Sequence, residues 1–180
     1  MTRAYAKTLL AAPVTLLALA LPATASATTT GGAKYEPPPK KATVRDGKAI
    51  APRNAPKKVR EVIDAANKIV TKPYRYGGGH GSFHDSAYDC SGSVSYALHG
   101  AGLLSSPEDS SELMHWGRGG TGKWITVYAN SGHAFMVVAG LRFDTGYRDS
   151  WGEKHGAKSG SGPRWGKPRP TDGFAARHPG

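Results

Sequence analysis

The sequence of 180 residues contains a single cysteine, Cys90. One cysteine excludes an internal disulfide framework and a zinc site built from several thiolates. Acidic residues are also scarce, 13 against 24 lysines and arginines, so the formal net charge is +11. After the N-terminal region, no apolar run is long enough to cross a membrane. These absences leave three interpretations of the thiol: a buried inert side chain, a link to another chain, or a nucleophile.

The N-terminal region has the pattern of an export signal. Arg3 and Lys7 precede an apolar run over 9–20, and the stretch "ATASA" that follows ends in small residues. The run is too short to span a bilayer comfortably, and small residues are what a signal peptidase needs. We therefore predict a cleaved signal peptide over 1–27, a secreted chain, and no stable membrane insertion after cleavage.

The composition divides the remainder into a linker and one domain. Residues 28–57 are rich in Pro, Gly, Thr and Lys without helical or strand periodicity, which predicts a flexible basic linker. Residues 58–180 suffice for one small domain. The basic surface suits anionic polymers, including those of a cell wall. No basic helix is interleaved with aromatic residues and no nucleic-acid motif is present, so we predict no nucleic-acid partner.

Within 58–180 the patterns predict helices first and strands afterwards. An amphipathic helix is expected before Pro73, because four apolar residues share one helical face: Val59, Ile63, Ala66 and Val70. Three short runs, "KWITVYA", "HAFMVVAG" and "LRFDTG", are typical of antiparallel strands, and "GFAAR" is a possible last strand. We predict an α+β domain in which N-terminal helices pack on an antiparallel sheet.

Cys90 is predicted to lie in the first turn of a second helix, with Asp89 as its N-cap. Unpaired backbone N–H groups and the helix macrodipole stabilise a thiolate at that place, and the same N–H groups can hold an oxyanion. A structural cysteine gains nothing from this position. The neighbouring Asp89 raises the thiol pKa unless a cation lies nearby.

His133 is the histidine best placed to supply that cation, because it starts an apolar strand. A cysteine next to a histidine is an activated nucleophile. A two-residue turn at Ala139 and Gly140 would put Asp144 diagonally across from His133 on the same face, whereas a three-residue turn would put it on the opposite face. Two alternatives for the residue that orients the imidazole ring are Asn130 and His155.

The stretch "PYRYGGGHGSFHDSAYDCSGSVSYAL", together with the later Gly-His pair at a strand start, resembles the signature of the NlpC-type cell-wall peptidases. These are papain-like cysteine peptidases, and the resemblance spans about 58–146. It implies a papain-like fold with the nucleophile at a helix N-terminus. It also implies a secreted enzyme that cleaves peptide bonds in the stem peptides of bacterial peptidoglycan.

The resemblance implies roles for five residues of this sequence. It makes Cys90 the nucleophile and His133 the base, and it places Tyr74 at the family's active-site tyrosine. Asp89 and Ser91 become lining residues for the amine end of the substrate. The sequence departs from the family pattern in the long, histidine-rich loop before Asp89. It also lacks the polar histidine that many members use as the third residue, and Asp144 stands near that place.

Other interpretations remain open from the sequence. His80 and His84 suggest a metal, but the glycine-rich loop offers no third ligand nearby, so we predict neither a metal nor a cofactor. A catalytically inactive peptidoglycan-binding module is one alternative to the peptidase. A cysteine amidase or acyltransferase is another. In an acyltransferase, three tryptophans could line an apolar groove for the acyl group: Trp116, Trp124 and Trp151.

Overall fold

The computed structural model describes residues 41–146 and 162–180. The predicted signal peptide, the part of the predicted linker before residue 41, and the candidates Trp151 and His155 lie outside the described residues. All described residues belong to one compact unit, Pro37–Gly180. Within the described ranges, no helix has the length and apolar character that a membrane span requires.

Three helices and eight strands make up the described part of the chain. The helices are α1 Lys57–Ile69, α2 Cys90–Gly100 and α3 Ser110–Leu113. The first strands are β1 Thr43–Arg45, β2 Lys48–Ile50, β3 Arg118–Gly119 and β4 Ile125–Asn130. The remaining strands are β5 His133–Val138, β6 Leu141–Asp144, β7 Arg164–Gly166 and β8 Ala175–His178.

Six strands form one antiparallel sheet in the order β3-β8-β4-β5-β6-β7. Helix α2 packs against α1 on one side and against β5 and β6 on the other. Because α2 is covered on both sides, most of its residues are buried, including Val94, Ala97 and Leu98. The predicted α+β architecture, with helices packed on an antiparallel sheet, is confirmed.

Helix α1 buries the apolar face that its sequence predicts. Val59, Ile63 and Ala66 are each at most 3% exposed, while the charged residues of the helix point away from the core. Helices α1 and α2 approach closely at Gly100, where an added Cβ would lie only 2.3 Å from the Cβ of Ala65. Gly100 therefore sets the distance between the two helices.

The predicted linker differs from the structure after residue 40, because 43–50 form a β-hairpin. Asp46 and Gly47 both have positive φ, 49° and 74°, as a two-residue turn requires. The side chain of Asn67 on α1 accepts a hydrogen bond from Ala49 N and donates one to Ala49 O, both at 2.9 Å. This amide pairs with the hairpin as a neighbouring strand would. The composition of 28–57 does not predict the hairpin, because the hairpin is held by the side chain of Asn67, which lies outside this segment on α1.

Three further elements were not predicted from the sequence. Strand β3 pairs with β8, and β7 pairs with β6, where Trp165 is 4% exposed and its ring centroid lies 4.8 Å from that of Phe143. Helix α3 starts with a capping box formed by Asp109 and Glu112. Apart from that capping box, these elements depend on distant partners rather than on a local pattern.

Candidate active site

The start of helix α2 places Cys90 in the first helical turn. Asp89 has an extended backbone, and its carboxylate Oδ1 accepts a hydrogen bond from Gly92 N at 2.8 Å. At Gly92 an added Cβ would lie 2.0 Å from the carbonyl oxygen of Gly78. Glycine is therefore required where the glycine-rich loop meets the helix. The predicted N-cap and helix start are confirmed.

The strand β5 begins with His133, and a side chain fixes the turn before it. The Oδ1 atom of Asn130 accepts hydrogen bonds from Gly132 N at 3.0 Å and from His133 N at 2.9 Å. Asn130 and His133 are also register partners across the β4–β5 hairpin. Asn130 thus shapes the backbone that carries His133 and does not reach its ring in any described contact.

The next hairpin brings Asp144 to His133. Ala139 and Gly140 have φ of 47° and 81°, which gives a two-residue turn with Val138 opposite Leu141. This is the register expected for the shorter turn. It carries Asp144 to the His133 face, where Oδ1 lies 2.9 Å from His133 Nε2. Because Nε2 is engaged, Nδ1 is the ring nitrogen left to face Cys90.

The pKa of the Cys90 thiol is lowered although the thiol is partly buried. Burial on its own raises the pKa. The hydrogen bond with His133, the hydrogen bond from the backbone N–H of Ala134 and the charge of His133 outweigh it, while the charge of Asp89 acts in the opposite direction. His133 therefore supplies the cation that offsets the effect of Asp89 on the thiol pKa.

The pKa of His133 is raised to about 9, first by its hydrogen bond to Asp144 and then by its hydrogen bond to Cys90. Burial lowers it, but less strongly. A raised imidazole pKa and a lowered thiol pKa favour a thiolate beside an imidazolium near neutral pH. That ion pair is the reactive form of a cysteine nucleophile.

Asp144 is held ionised in a buried position. Its residue exposure is 1%, and burial alone raises the carboxyl pKa. The hydrogen bonds from His133 and Gly146 N, with the charges of His133 and Arg142, reverse this and lower the pKa. Two guanidinium groups approach Oδ2: Arg142 at 3.4 Å and Arg169 at 3.9 Å. Arg169 also lies over the ring of Phe135.

A cleft with a volume of about 340 Å³ opens beside Cys90. The glycine-rich loop forms one wall, and α3 and the β4–β5 turn form the other. Tyr74 lines the cleft and is 40% exposed. Burial raises its pKa, and the negative charges of Cys90 and Asp89, which line the same cleft, raise it further.

Asp89 and Ser91 line the same cleft but are almost fully buried, at 4% and 3% exposure. The sequence-predicted site residues are therefore brought together: Tyr74, Asp89, Cys90, Ser91, His133 and Asp144. The two histidines of the loop are separated. His80 faces the cleft, whereas His84 makes an edge contact with Tyr96 elsewhere.

Neither the metal site nor the tryptophan groove considered from the sequence is found among the described residues at the cleft. Across 41–146 and 162–180, no group of three or more His, Cys, Asp or Glu side chains could hold a metal ion. Trp116 and Trp124 pack against the hydrophobic core, and neither lines the Cys90 cleft. The described tryptophans thus give no support to an acyl groove beside Cys90.

The chain matches no family model and no curated protein. It is similar to the structure of Rv1477, described as a hypothetical invasion protein of Mycobacterium tuberculosis, with 19% identity and a TM-score of 0.48 over 76% of this chain and 71% of that chain. It is also similar to two structures of the Resuscitation Promoting Factor Interacting protein RipA, mutated at a glutamate and at a histidine. These have 20% and 19% identity and TM-scores of 0.49 and 0.48, over 76% and 77% of this chain and 71% of each of those chains.

Sequence reasoning missed several residues of the cleft. Tyr76 is 90% exposed and lines it, as do Asp109, Ser110 and Ser111 around the start of α3. The capping-box pattern of Asp109 and Glu112 could have located this short helix, but nothing local places it opposite Cys90. His80 was considered only as a metal ligand, and its contacts with Asp89 and Ser91 depend on the fold of the loop.

Proposed function

We propose that the chain is a secreted cysteine endopeptidase that hydrolyses peptide bonds in peptidoglycan stem peptides. The observation that carries the proposal is the run of contacts from the Cys90 thiol through His133 to Asp144, beside a cleft. Thiol, imidazole and carboxylate in this order form an activated nucleophile with an oriented base. The resemblance of the motifs around Cys90 and His133 to the NlpC-type peptidases supports the choice of substrate.

In the first half-reaction the Cys90 thiolate attacks the carbonyl carbon of the scissile amide. The carbon–sulfur bond forms while the carbonyl electron pair moves onto oxygen. Among the described residues, the backbone N–H groups of Cys90 and Ser91 have no acceptor, and they lie where the helix dipole favours negative charge. These N–H groups are our candidates for holding the oxyanion. The His133 imidazolium then protonates the leaving nitrogen as the C–N bond breaks.

In the second half-reaction a water molecule attacks the thioester. His133, now neutral, takes a proton from this water, and the carbon–sulfur bond breaks to release the acid and restore the thiolate. Asp144 holds the ring through Nε2 during both steps, so that Nδ1 stays directed at the reacting atoms. His133 thus donates a proton in the first half-reaction and accepts one in the second.

Tyr74, Asp89 and Ser91 are assigned to the binding of the substrate. Tyr74 offers a hydroxyl on the wall of the cleft, with the charges of Cys90 and Asp89 nearby. Asp89 and Ser91 form the floor on either side of Cys90 in sequence. The excess of lysines and arginines over acidic residues, which persists after removal of 1–27, supports retention at an anionic cell wall after export.

The test is the digestion of purified soluble muropeptides by the mature chain under reducing conditions, followed by mass spectrometry. We expect new stem-peptide fragments from the parent and none from Cys90→Ala. The fragment masses identify the bond that is cut. The same masses distinguish a peptidase from an amidase or acyltransferase that uses the same thiol.

A second measurement separates the enzyme from an inactive binding module. Cys90 of the parent should react quickly with iodoacetamide at neutral pH, because its pKa is lowered. An absence of fragments together with slow alkylation of Cys90 would refute the proposal. Wall binding in a pelleting assay would then remain as the function of the domain.

A further inference from the structure

Both oxygens of the Asp89 carboxylate accept hydrogen bonds from groups of the protein. Oδ1 accepts hydrogen bonds from Gly92 N at 2.8 Å and from the Ser91 hydroxyl at 3.3 Å, and it lies 3.0 Å from His80 Nε2. Oδ2 accepts a hydrogen bond from Gly77 N at 2.9 Å. Asp89 lines the cleft but is only 4% exposed, so little of its carboxylate is left for direct contact with a ligand.

His80 covers Asp89 on the side of the cleft. Its Nε2 atom lies 3.0 Å from Asp89 Oδ1 and 3.1 Å from Ser91 Oγ. An ionised carboxylate only accepts hydrogen bonds, so Nε2 is the ring nitrogen that carries a proton toward Asp89, and in the neutral form of an imidazole the other nitrogen, Nδ1, is an acceptor. Nδ1 has no hydrogen-bond partner among the described residues, and the side chain is 31% exposed.

The loop that carries His80 is held in place at several points. Asp85 accepts two hydrogen bonds from Arg75, both at 2.6 Å, and one from Gly79 N at 3.0 Å. At Gly79, φ is 84°, and an added Cβ would lie 2.7 Å from the ring of Tyr88. Because these contacts fix the backbone on either side, His80 presents its ring to the cleft in a defined position.

The charge of the cleft is opposite to that of the whole chain. The chain has a net charge of +11, yet no lysine or arginine is among the described residues that line the cleft. Its formally charged lining groups are the carboxylates of Asp89 and Asp109. Such a cleft favours a group that carries positive charge and donates hydrogen bonds, which a free amine does.

We propose that His80 is a specificity-determining residue, whose Nδ1 accepts a hydrogen bond from the free amine end of the substrate while Asp89 holds the ring from behind. This inference rests on the proposed peptidase function. It differs from the expectation that Asp89 and Ser91 contact the amine themselves. In this arrangement the negative charge of Asp89 reaches the ligand through the imidazole of His80.

The test compares two ligands on a chain that cannot turn them over. A synthetic stem tripeptide with a free N-terminus and its N-acetyl derivative are titrated into the Cys90→Ala chain by calorimetry. We expect the free amine to bind about tenfold more tightly, the size expected for one hydrogen bond to a charged group. Adding His80→Gln keeps a donor for Asp89 and Ser91 but leaves no acceptor at the position of Nδ1, because the amide oxygen then projects from the opposite side of the side chain. The ratio should fall to about one.

His84→Gln in the same background is the matched control, because His84 lies on the same loop and does not line the cleft. It should keep the tenfold preference. If His80→Gln weakens the binding of both peptides equally, the preference for the free amine is unchanged and His80 has only a structural role. A preference that survives His80→Gln in this or any other way would overturn the inference. A Cys90→Ala chain that binds both peptides equally, or binds neither, would also overturn it.

Hydrolysis by the chain with Cys90 intact is measured in parallel with the same free-amine peptide. Hydrolysis with an unchanged preference in His80→Gln would leave the peptidase standing and remove the role of His80. A preference that depends on His80, without hydrolysis by the parent, would keep the binding site and remove the peptidase.

Discussion

Replacement of Asp144 by Asn tests whether its carboxylate sets the charge of the Cys90–His133 pair. Asp144→Asn keeps the size and shape of a residue that is 1% exposed and removes its negative charge. The pKa of His133 stands at about 9 against an ordinary value of 6.5, and the hydrogen bond to Asp144 is the largest cause. At about 1.4 kcal/mol for each unit, the imidazolium is favoured by about 3 kcal/mol. Most of this preference should be lost.

The thiol of Cys90 should respond to the same substitution. Its pKa is lowered by the hydrogen bond with His133 and by the charge of that ring, against the effect of burial. When His133 becomes neutral near pH 7, this support weakens and the thiol pKa rises. We expect alkylation of Cys90 at pH 7 to slow by about tenfold and kcat/KM on stem peptides to fall by roughly 100-fold.

The pH profile gives the sharpest measurement. The active thiolate and imidazolium coexist above the Cys90 pKa and below the His133 pKa. In the parent the activity should therefore decline on the alkaline side near pH 9, where His133 loses its proton. In Asp144→Asn this alkaline limb should move down toward 6.5 and the acid limb should move up, so that the active range narrows.

The control is Asp64→Asn, which removes a carboxylate from the exposed side of α1. It should leave the profile unchanged, and thermal melting of both variants shows whether they are folded. A folded Asp144→Asn chain whose alkaline limb stays near pH 9 would refute the assignment of Asp144 as the group that holds His133 protonated.

Two predictions concern stability. Gly92→Ala should destabilise the chain by about 1–3 kcal/mol, because its Cβ would lie 2.0 Å from Gly78 O, whereas at Gly81 an added Cβ meets nothing within 4 Å. Denaturant unfolding of Gly92→Ala and Gly81→Ala measures the difference, and equal stabilities would contradict the close approach. Asn67→Ala should destabilise the chain by about 2 kcal/mol, since Asn67 holds the backbone of β2 and accepts from an indole N–H. Lys68→Ala, on the exposed side of the same helix, should have little effect in the same assay.

The parts of the site that could be predicted from the sequence depend on local patterns. The N-cap at Asp89 follows from residue type and from the helical residues after it. The contact of Asp144 with His133 follows from one turn length, because a two-residue turn at Ala139 and Gly140 fixes which strand positions face each other. The choice between the two turn lengths was open in the sequence, since Ala139 adopts a positive φ that alanine rarely takes.

The parts that could not be predicted depend on residues far apart in sequence. The hairpin over 43–50 is hydrogen-bonded to the side chain of Asn67, and β7 buries Trp165 against Phe143 of β6. The interpretation of His80 needed the fold of its loop, because nothing in the local sequence directs its ring at Asp89 rather than at solvent. A local pattern of residue types predicts a helix or a strand, whereas the distant residues that pack against it are seen only in the structure.

The position of β8 in the sheet has a consequence for folding. β8 follows all other described strands in the chain but lies between β3 and β4. Gly173 O accepts a hydrogen bond from Asn130, and the ring of Phe174 makes an edge contact with the ring of His133. Until β8 and the residues just before it have folded, β4 keeps an open edge and His133 lacks this aromatic neighbour. Cys90 and His133 therefore reach their final surroundings only when the chain is present through residue 178, so a chain that ends earlier should lose the fast alkylation of Cys90.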